Sequence, residues 1–365
     1  SWVMRHPLAV LIIVGGFLIA LGIPFLNVNV GSPWADILPP KAEARQGWTI
    51  IANEIGPSEL APILIVAIPD DGEVGLEDAP ALLDLLLDIQ KDPDVQRTEI
   101  STLAITGGAP ISLSALSRAV ASGNLPESLP IAVVRVYSRF GPADAETEAL
   151  VKRLRRVQEP GGIDLLVGGG TADLNDAVDQ MYGTFPWVIA YTMVAVYLAL
   201  MILFRSLALP LKAVVMNSMS LFADYGALVL IFQNGALDWL LGTEATGFTE
   251  MTVPILIFAV AFGLSVDYEV FLLSRVKEYW DETGDNRYAV QMGMEKTGRI
   301  VTSAALILVL VAGSFATADI VVVKALGIGT AIAIGLDASI VRALFVPAIM
   351  RLMGRANWWA PRFIR

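Results

Sequence analysis

The sequence predicts an α-helical membrane protein with six transmembrane helices, in which a soluble α+β domain separates the first helix from the other five. Three observations predict this fold class. Hydrophobic residues make up 55% of the chain and the mean hydropathy is +0.63, values that soluble proteins rarely reach. Six apolar runs are each long enough to cross a bilayer as a helix. The net charge of −11 is concentrated between residues 27 and 184, which hold 23 acidic and 11 basic side chains.

The composition excludes several classes of site. The chain has no cysteine, which excludes disulfides, thiolate metal sites and thiol catalysis. Its one histidine, His6, lies near the N-terminus, so we expect a solvated residue at the membrane interface rather than a metal ligand. The sequence contains no nucleophile–base motif or nucleotide loop, and an acidic domain does not suit nucleic acid. We therefore expect no enzyme, metal, cofactor or nucleic-acid partner.

The first apolar run, residues 8–26, is predicted to be a true membrane span. It is too long for the core of a signal peptide, and no small-residue cleavage site follows it. Arg5 precedes the run and Pro24 lies near its end. Because the chain starts at Ser1 without an initiator Met, we expect a fragment, a processed chain or a partial structure.

The acidic segment is predicted to contain two strand–helix–strand units in tandem, which favours a small ferredoxin-like domain. Its predicted strands are residues 61–68, 95–101, 131–136 and 163–167, and its predicted helices are 79–90, 113–122 and 143–157. The triplet Gly168-Gly169-Gly170 follows the last strand. It lacks the spacing and the lysine of phosphate-binding loops, so we predict a plain turn.

Five further spans are predicted at residues 185–204, 213–232, 253–273, 300–318 and 325–350. Basic residues cluster in the short connections on one side of these spans, including a loop with Arg205 and Lys212 and the four arginines of residues 351–365. The positive-inside rule then predicts cytoplasmic termini and an extracytoplasmic domain. The predicted division is a first helix (1–26), an external domain (27–184), a five-helix bundle (185–352) and a cytoplasmic tail (353–365).

The stretch from Phe262 to Arg275 contains the strongest candidate site. Asp267 lies about two-thirds of the way along an apolar run of roughly 20 residues. An ionisable group inside a membrane span is costly, and it marks an ion or substrate pathway by default. On a helix, Asp267 shares a face with Gly263 and Phe271, and the small glycine permits close helix packing. A structural hydrogen bond between helices is the alternative role for Asp267.

Four other residues are candidates for proton transfer or helix packing. Tyr268 offers a hydroxyl that can donate to a carboxylate or accept from a carboxylic acid. Asp337 is a second acid inside a span, for which structural hydrogen bonding and a proton role both stay open. Its neighbour Arg342 follows five residues later, a poor pairing distance on an α-helix. Asp224 is expected to be a proton site, a partner contact or a water-facing acid, and Glu269 to form a hydrogen bond near the cytoplasmic end.

Three stretches carry a resemblance to a known family. They are FGLSVDYEVFLLSR at residues 262–275, GLDASIVR at 335–342 followed by VPA at 346–348, and LMGRANWWAP at 352–361. With the one-plus-five layout, they resemble the resistance–nodulation–division superfamily and, more closely, its mycobacterial membrane protein large (MMPL) family.

The resemblance is to the second half of such transporters, and residues 27–184 would then be the porter domain. It implies that Asp267 and Tyr268 match one of the family's two Asp-Tyr pairs of the proton relay, while the other pair is absent here. The family usually has a small residue in place of Asp224.

The resemblance implies half of a proton-driven exporter of lipids or other hydrophobic molecules in a bacterial plasma membrane. Its partners would be the bilayer, the cargo, and a missing N-terminal half or partner chain with a second Asp-Tyr helix. The alternatives are a non-transporting subunit that scaffolds a larger complex and a half-size transporter acting as a homodimer. For residues 277–296, an amphipathic helix on the membrane and a solvated connector both stay open.

Overall fold

The computed structural model describes residues 2–31, 34–69, 74–75, 79–102, 111–122, 128–129, 132–159 and 162–361. The chain divides into two compact units. The helical unit contains Ser1–Ser32 and Tyr182–Arg365, and the α/β unit contains Pro33–Met181. Of the arginines expected in the C-terminal tail, Arg362 and Arg365 lie outside the described residues.

Among the described residues, six helices are long and apolar enough to cross a membrane, as the sequence predicts. We number them as spans in chain order: Pro7–Asn27, Gly170–Phe204, Ala208–Gln233, Val253–Thr283, Asn286–Thr317 and Val321–Trp358. Their first or last turns include the 3-10 segments Ile23–Asn27, Ser314–Thr317 and Gly354–Trp358. Three spans also contain π-helical segments, at Val229–Gln233, Phe258–Phe262 and Asp337–Phe345. Insertions of this kind are frequent at functional sites.

Shorter helical segments complete the chain. They are Trp2–Arg5, Ala35–Ile37, Glu43–Glu54, Pro57–Leu60, Ala79–Gln90, Leu113–Ser122, Ala145–Leu154 and Asp238–Leu241. The strands are β1 (Val30–Gly31), β2 (Ile63–Pro69), β3 (Val74–Gly75), β4 (Val95–Thr102), β5 (Ile111–Ser112), β6 (Ser128–Leu129), β7 (Ala132–Ser138), β8 (Ile163–Gly168) and β9 (Thr249–Glu250).

The first and third spans pack through glycine. A β-carbon on Gly226 would lie 1.9 Å from the carbonyl oxygen of Leu21, and one on Gly22 would lie 2.0 Å from the ring of Phe222. Small residues of this kind let helix backbones approach closely inside a membrane. The first span is therefore part of the bundle although the whole α/β unit separates it from the third span in sequence.

Residues 277–296 are helical on both sides of a tight turn. The fourth span continues to Thr283 and the fifth begins at Asn286, so the connection is a tight helical hairpin. Gly284 takes a φ of +64° at the end of one helix, which suits a residue without a β-carbon. The Asp285 carboxylate then accepts from the backbone N–H of Arg287 and of Tyr288, at 2.8 and 3.3 Å, and caps the next helix.

The α/β unit is built on a five-stranded sheet in the order β5-β4-β7-β2-β8. Every neighbouring pair in this sheet is antiparallel. The helices Ala79–Gln90 and Ala145–Leu154 contribute leucines to the same core as the inward residues of β2 and β7. β8 ends at Gly168, and Gly169 turns the chain with a φ of +95°. The glycine triplet is thus a turn, as predicted.

An ion pair ties the 3-10 turn Pro57–Leu60 to β4. The Arg97 guanidinium forms two hydrogen bonds to the Glu59 carboxylate, of which the Nη2–Oε2 bond is 2.9 Å long. The hydrogen bonds from Arg97 hold the pKa of Glu59 below its ordinary value. The same guanidinium stacks 3.7 Å from the centre of the Tyr137 ring on β7. This contact joins two neighbouring strands at one surface of the sheet.

Candidate functional site

The fourth span has two polar sides that differ in burial. After its π-helical segment, the helix Gly263–Thr283 buries Ser265, Glu269, Leu272 and Val276 against the other spans. Positions offset from these by about half a turn point away from the bundle. The candidate acids Asp267 and Glu269 therefore lie in different surroundings although two residues separate them.

Asp267 lies on the outward side of the helical unit. Its side chain is exposed, as is Gly263 one turn earlier, and Phe271 is 37% exposed one turn later. The three residues do share a face, as predicted, but this face is not buried within the chain. Among the described residues, Asp267 forms no hydrogen bond and no ion pair.

Tyr268 is half-buried and turns toward the sixth span. The guanidinium carbon of Arg342 lies 5.1 Å from the centre of its ring, within the range of a cation–π contact. The structure thus brings Tyr268 to Arg342 rather than to a shared contact with Asp267. Asp267 therefore faces outward, whereas the next residue, Tyr268, contacts the buried Arg342.

Glu269 lies in a buried ion pair with Lys212 of the third span. Its Oε1 is 3.3 Å from the lysine Nζ, and the two side chains are only 5% and 3% exposed. Its Oε2 accepts a 3.4 Å hydrogen bond from Asn217 Nδ2, and Asn217 Oδ1 accepts a 3.0 Å bond from Ser265 Oγ. Glu269 forms the expected hydrogen bond on another face from Asp267.

The prediction that Arg205 and Lys212 lie in one connecting loop is wrong for Lys212. The third span begins at Ala208, so Lys212 is inside its first turns and is buried. A lysine can remain buried when a carboxylate compensates its charge, and Glu269 supplies that carboxylate. Lys212 and Asn217 were missed as site residues because their partners, Ser265 and Glu269, lie 48 or more residues away in the sequence.

Asp337 and Arg342 form a second buried ion pair, which corrects the prediction of a poor pairing distance. Arg342 Nη2 lies 2.6 Å from Asp337 Oδ2 and also donates a 3.0 Å hydrogen bond to the Ser265 carbonyl oxygen. Both residues lie in the π-helical segment Asp337–Phe345. In a π-helix, backbone hydrogen bonds join residues five apart, so Asp337 and Arg342 lie on the same side of the helix.

Asp224 is buried in the third span, near Asp337. Its Oδ1 has no hydrogen-bond partner within the described part of the chain, and its charge interacts with that of Asp337. Asp224 is thus neither exposed nor paired with a described cation. Its neighbour Tyr225 donates a 2.8 Å hydrogen bond to the Pro254 carbonyl oxygen at the start of the fourth span.

These contacts join three spans in one buried polar network. Ser265 links its two halves, since its hydroxyl donates to Asn217 and its carbonyl accepts from Arg342. In the part of the chain that the structure describes, the network contains two cations and, with Asp224, three acids, so one acid has no cation of its own. Among the described residues, no group of three His, Cys, Asp or Glu side chains could hold a metal ion.

The family model that matches this sequence is that of the MMPL family, over residues 36–365. The chain belongs to the MMPL family. It is a multi-pass membrane protein in a family of transporters, as the resemblance and the six apolar helices predicted.

Curated relatives are similar to this MMPL chain along most or all of its length. It is 34% identical over 367 residues to the heme uptake protein MmpL11 of Mycobacterium tuberculosis, an alignment that covers 100% of the chain and 36% of that relative. Identity to the mycolic acid-containing lipids exporter MmpL11 of Mycolicibacterium smegmatis is 33%, covering 99% of the chain and 36% of the relative. The trehalose monomycolate exporter MmpL3 of M. tuberculosis is 39% identical over 229 residues, which cover 62% of the chain and 24% of the relative. The chain thus spans about a third of the length of these relatives.

Proposed function

We propose that this chain forms the C-terminal half of a proton-driven exporter that moves lipids or other hydrophobic molecules across the plasma membrane. Asp267 would carry the proton, with Tyr268 as its partner. The cargo class is supported by two relatives, which are named as exporters of mycolic acid-containing lipids and of trehalose monomycolate. The observation that carries the proposal is the outward position of Asp267 within a membrane span.

A carboxylate facing hydrocarbon would be costly, by about 2.5–3.5 kcal/mol or more near the middle of a span. Asp267 faces outward without a described partner. The cost is removed if another protein surface or a water-filled path covers this side of the fourth span. A second transporter half with its own Asp-Tyr helix fits that requirement, because the two acids would then meet at the interface between halves.

The charge of Asp267 would couple proton uptake and release to the packing of the two transporter halves. An ionised Asp267 requires water or a cation at the interface, whereas a protonated one tolerates close packing against apolar surface. Protonation from one side of the membrane and release to the other would therefore change how the two halves pack. Tyr268 would transmit this change inward, since its ring lies against Arg342.

The buried network offers candidate acids for the inner part of the proton path. Glu269 and Asp337 are each held by a cation, so their charges are compensated. Asp224 has no such cation among the described residues, and taking up a proton would remove its repulsion with Asp337. We assign Asp224 and Asp337 as the pair between which a proton could be shared, and Glu269 as a packing residue.

The α/β unit would act as an extracytoplasmic porter domain with a ferredoxin-like fold. The order β4-β7-β2-β8 of its four main strands supports this fold, because two interleaved strand–helix–strand units produce it with antiparallel neighbours. The amino-acid sequence of residues 61–168 contains no ligand-binding signature. The orientation with both termini in the cytoplasm rests on the distribution of basic residues.

The experiment places Asp267→Asn in the chromosomal gene of the producing organism. Asparagine keeps the shape of the protonated acid but cannot release a proton, so export of radiolabelled surface lipids should fall at least about tenfold at normal protein abundance. Glu282→Gln, an exposed acid at the end of the same helix, is the matched control. Full export by the Asp267→Asn strain would refute the proposal.

The two alternatives give different results in the same strains. A scaffolding subunit would co-purify with other proteins and keep its function in the Asp267→Asn strain. A homodimeric half-transporter would lose function with Asp267→Asn, and the purified chain would have the mass of two copies in detergent. A chain that works only together with a first transporter half would lose function with Asp267→Asn, and the purified chain alone would have the mass of one copy in detergent.

A further inference from the structure

One end of the helical unit contains a pocket lined by basic and aromatic side chains. Its volume is about 670 Å³, and it is formed where the second, fourth and sixth spans end. The residues that matter for the argument are Arg205, Lys277, Arg355, Trp280, Trp358 and Trp359. None of them takes part in the proton path or in the buried network described above.

The backbone that forms this pocket is held by specific hydrogen bonds. Ser206 Oγ donates to the Asn357 carbonyl oxygen at 2.6 Å, and Leu207 N donates to the Trp359 carbonyl oxygen at 3.1 Å. The Asn357 side chain is fully buried, and its Nδ2 donates to the Met350 carbonyl oxygen at 2.7 Å. The turn after the second span is therefore fixed to the segment after the sixth.

Trp280, Trp358 and Trp359 form an aromatic wall of the pocket, and specific contacts also hold this wall in place. The rings of Trp280 and Trp358 stack with centroids 5.4 Å apart and an angle of 10°. Trp358 Nε1 donates a 3.0 Å hydrogen bond to Asn286 Oδ1, which fixes the ring edge. Trp359 is 55% exposed beside this stack. Tryptophan rings of this kind lie at the headgroup level of a bilayer.

Two cations of the pocket have no counter-ion in the described part of the chain. Lys277 is paired with Asp281 and lies 5.5 Å from the centre of the Trp358 ring. Arg205 and Arg355 form no ion pair with a described residue, and both are exposed. Their two uncompensated charges at an aromatic wall suit an anion with an apolar body.

The backbone conformation of Arg205 also indicates a ligand site at this pocket. Its φ is +49°, the only positive φ among the described residues other than glycine. This left-handed conformation is unfavourable for a residue with a β-carbon, whereas glycine adopts it freely. Strained positions of this kind cluster at ligand sites, where the surrounding structure holds them.

We propose that this pocket binds the headgroup of an anionic phospholipid from the leaflet at this end of the bundle. Arg205 and Arg355 would hold the phosphate by charge-assisted hydrogen bonds, and the tryptophans would lie along the glycerol and the upper acyl chains. This site lies outside the buried polar network and does not depend on the exporter proposal.

The test measures lipid retention by native mass spectrometry of the purified chain in a neutral detergent with equimolar phosphatidylglycerol and phosphatidylcholine. Each basic residue near an anionic lipid contributes about fivefold to binding, so the unmodified chain should favour phosphatidylglycerol by more than tenfold. Arg205→Gly combined with Arg355→Gln should abolish this preference. Arg205→Gly also relieves the strained φ, so the fold should be kept, and an unchanged unfolding temperature checks this.

The matched control is Arg351→Gln, since Arg351 lies one turn before Arg355 but does not line the pocket. It should keep the preference for phosphatidylglycerol. Equal loss in this control, or a retained preference in the double variant, would overturn the proposal. Soluble glycerol 3-phosphate distinguishes the source of the anion: displacement of the lipid by a small excess would mean that the pocket takes free phosphate esters instead.

Discussion

The fourth span carries one carboxylate that is buried beside a cation and another that is exposed without a described partner. Glu269 lies on the buried side against Lys212, while Asp267 lies two residues earlier on the outward side without a described partner. The fixed cation beside Glu269 holds this carboxylate in one charge state, so Glu269 serves packing. An acid without a fixed partner can change its charge when its surroundings change. The difference teaches that, on this span, the fixed cation marks Glu269 as a structural acid, and the outward position marks Asp267 as the candidate proton carrier.

The largest effect is expected from Glu269→Gln. The substitution leaves the buried charge of Lys212 uncompensated, which should lower the stability of the helical unit by about 3–5 kcal/mol. The loss is measured as the thermal midpoint of the purified protein by fluorescence-detected size exclusion. The control is Lys212→Met combined with Glu269→Leu, which replaces the pair by apolar groups and should recover most of the stability. A double variant as unstable as the single one would contradict the ion pair.

A smaller effect is expected from Arg342→Lys. The arginine donates to both Asp337 and the Ser265 carbonyl oxygen, and a lysine cannot reproduce the planar arrangement of these donors. The loss of one hydrogen bond to a buried charged group should cost about 1–3 kcal/mol in the same thermal assay. Arg351→Lys is the control, because Arg351 forms no ion pair within the described residues. Equal midpoints for Arg342→Lys and the unmodified protein would exclude a structural role for the π-helical pair.

The α/β unit provides a half-buried ion pair, between Arg97 and Glu59, for comparison. Because hydrogen bonds from Arg97 lower the pKa of Glu59 below its ordinary value of 4.5, the pair stabilises the folded state above that pH. This stabilisation is lost as the pH falls through the lowered pKa of the folded state. After allowance for solvent screening, the pair should contribute roughly 0.5–1 kcal/mol at neutral pH.

Hydrogen exchange measured by mass spectrometry on β4 peptides tests this contribution. Glu59→Gln should speed exchange at pH 7 and have less effect at the acid end of the range, where the carboxyl group is already protonated. Glu148→Gln, which breaks an exposed pair with Lys152, is the control and should leave β4 unchanged. A Glu59→Gln effect of equal size at both pH values would show that the charge is not responsible.

The smallest effect on stability is expected from Asp267→Asn. Because Asp267 has no described partner, the change should stay within about 0.5 kcal/mol in detergent. A large loss of export with an almost unchanged thermal midpoint would separate the two sides of the fourth span most clearly. If Asp267→Asn lowered the midpoint as much as Glu269→Gln, the outward position of Asp267 would be wrong.

The sequence predicted well those features that depend on local pattern. The helices Ala79–Gln90 and Leu113–Ser122 have the predicted bounds, because their apolar spacing repeats with the helical period. It also marked Asp267, Asp337, Asp224 and Glu269 as the acids of interest. These acids stand out because an ionisable residue in an apolar run is recognisable without any partner.

Features that depend on distant contacts were not predictable. Lys212 looked like a loop residue because only its pairing with Glu269 makes its burial tolerable. The pairing of Asp337 with Arg342 follows from a π-helical segment, whose geometry the order of residues does not reveal. The exposure of Asp267 depends on which side of the fourth span the other five helices cover. Tertiary packing decides each of these three outcomes.

The close approach of Gly22 and Gly226 has a consequence for how the protein is made. About 200 residues separate the two glycines, so at ribosomal speeds of 5–20 residues per second the first span waits roughly 10–40 s before its packing partner is synthesised. During that time the first span must stay in the bilayer without this packing partner while the whole α/β segment is synthesised. A larger residue at Gly226 would therefore act late in biogenesis: insertion of the first span would proceed normally, and the finished helices would fail to close against each other.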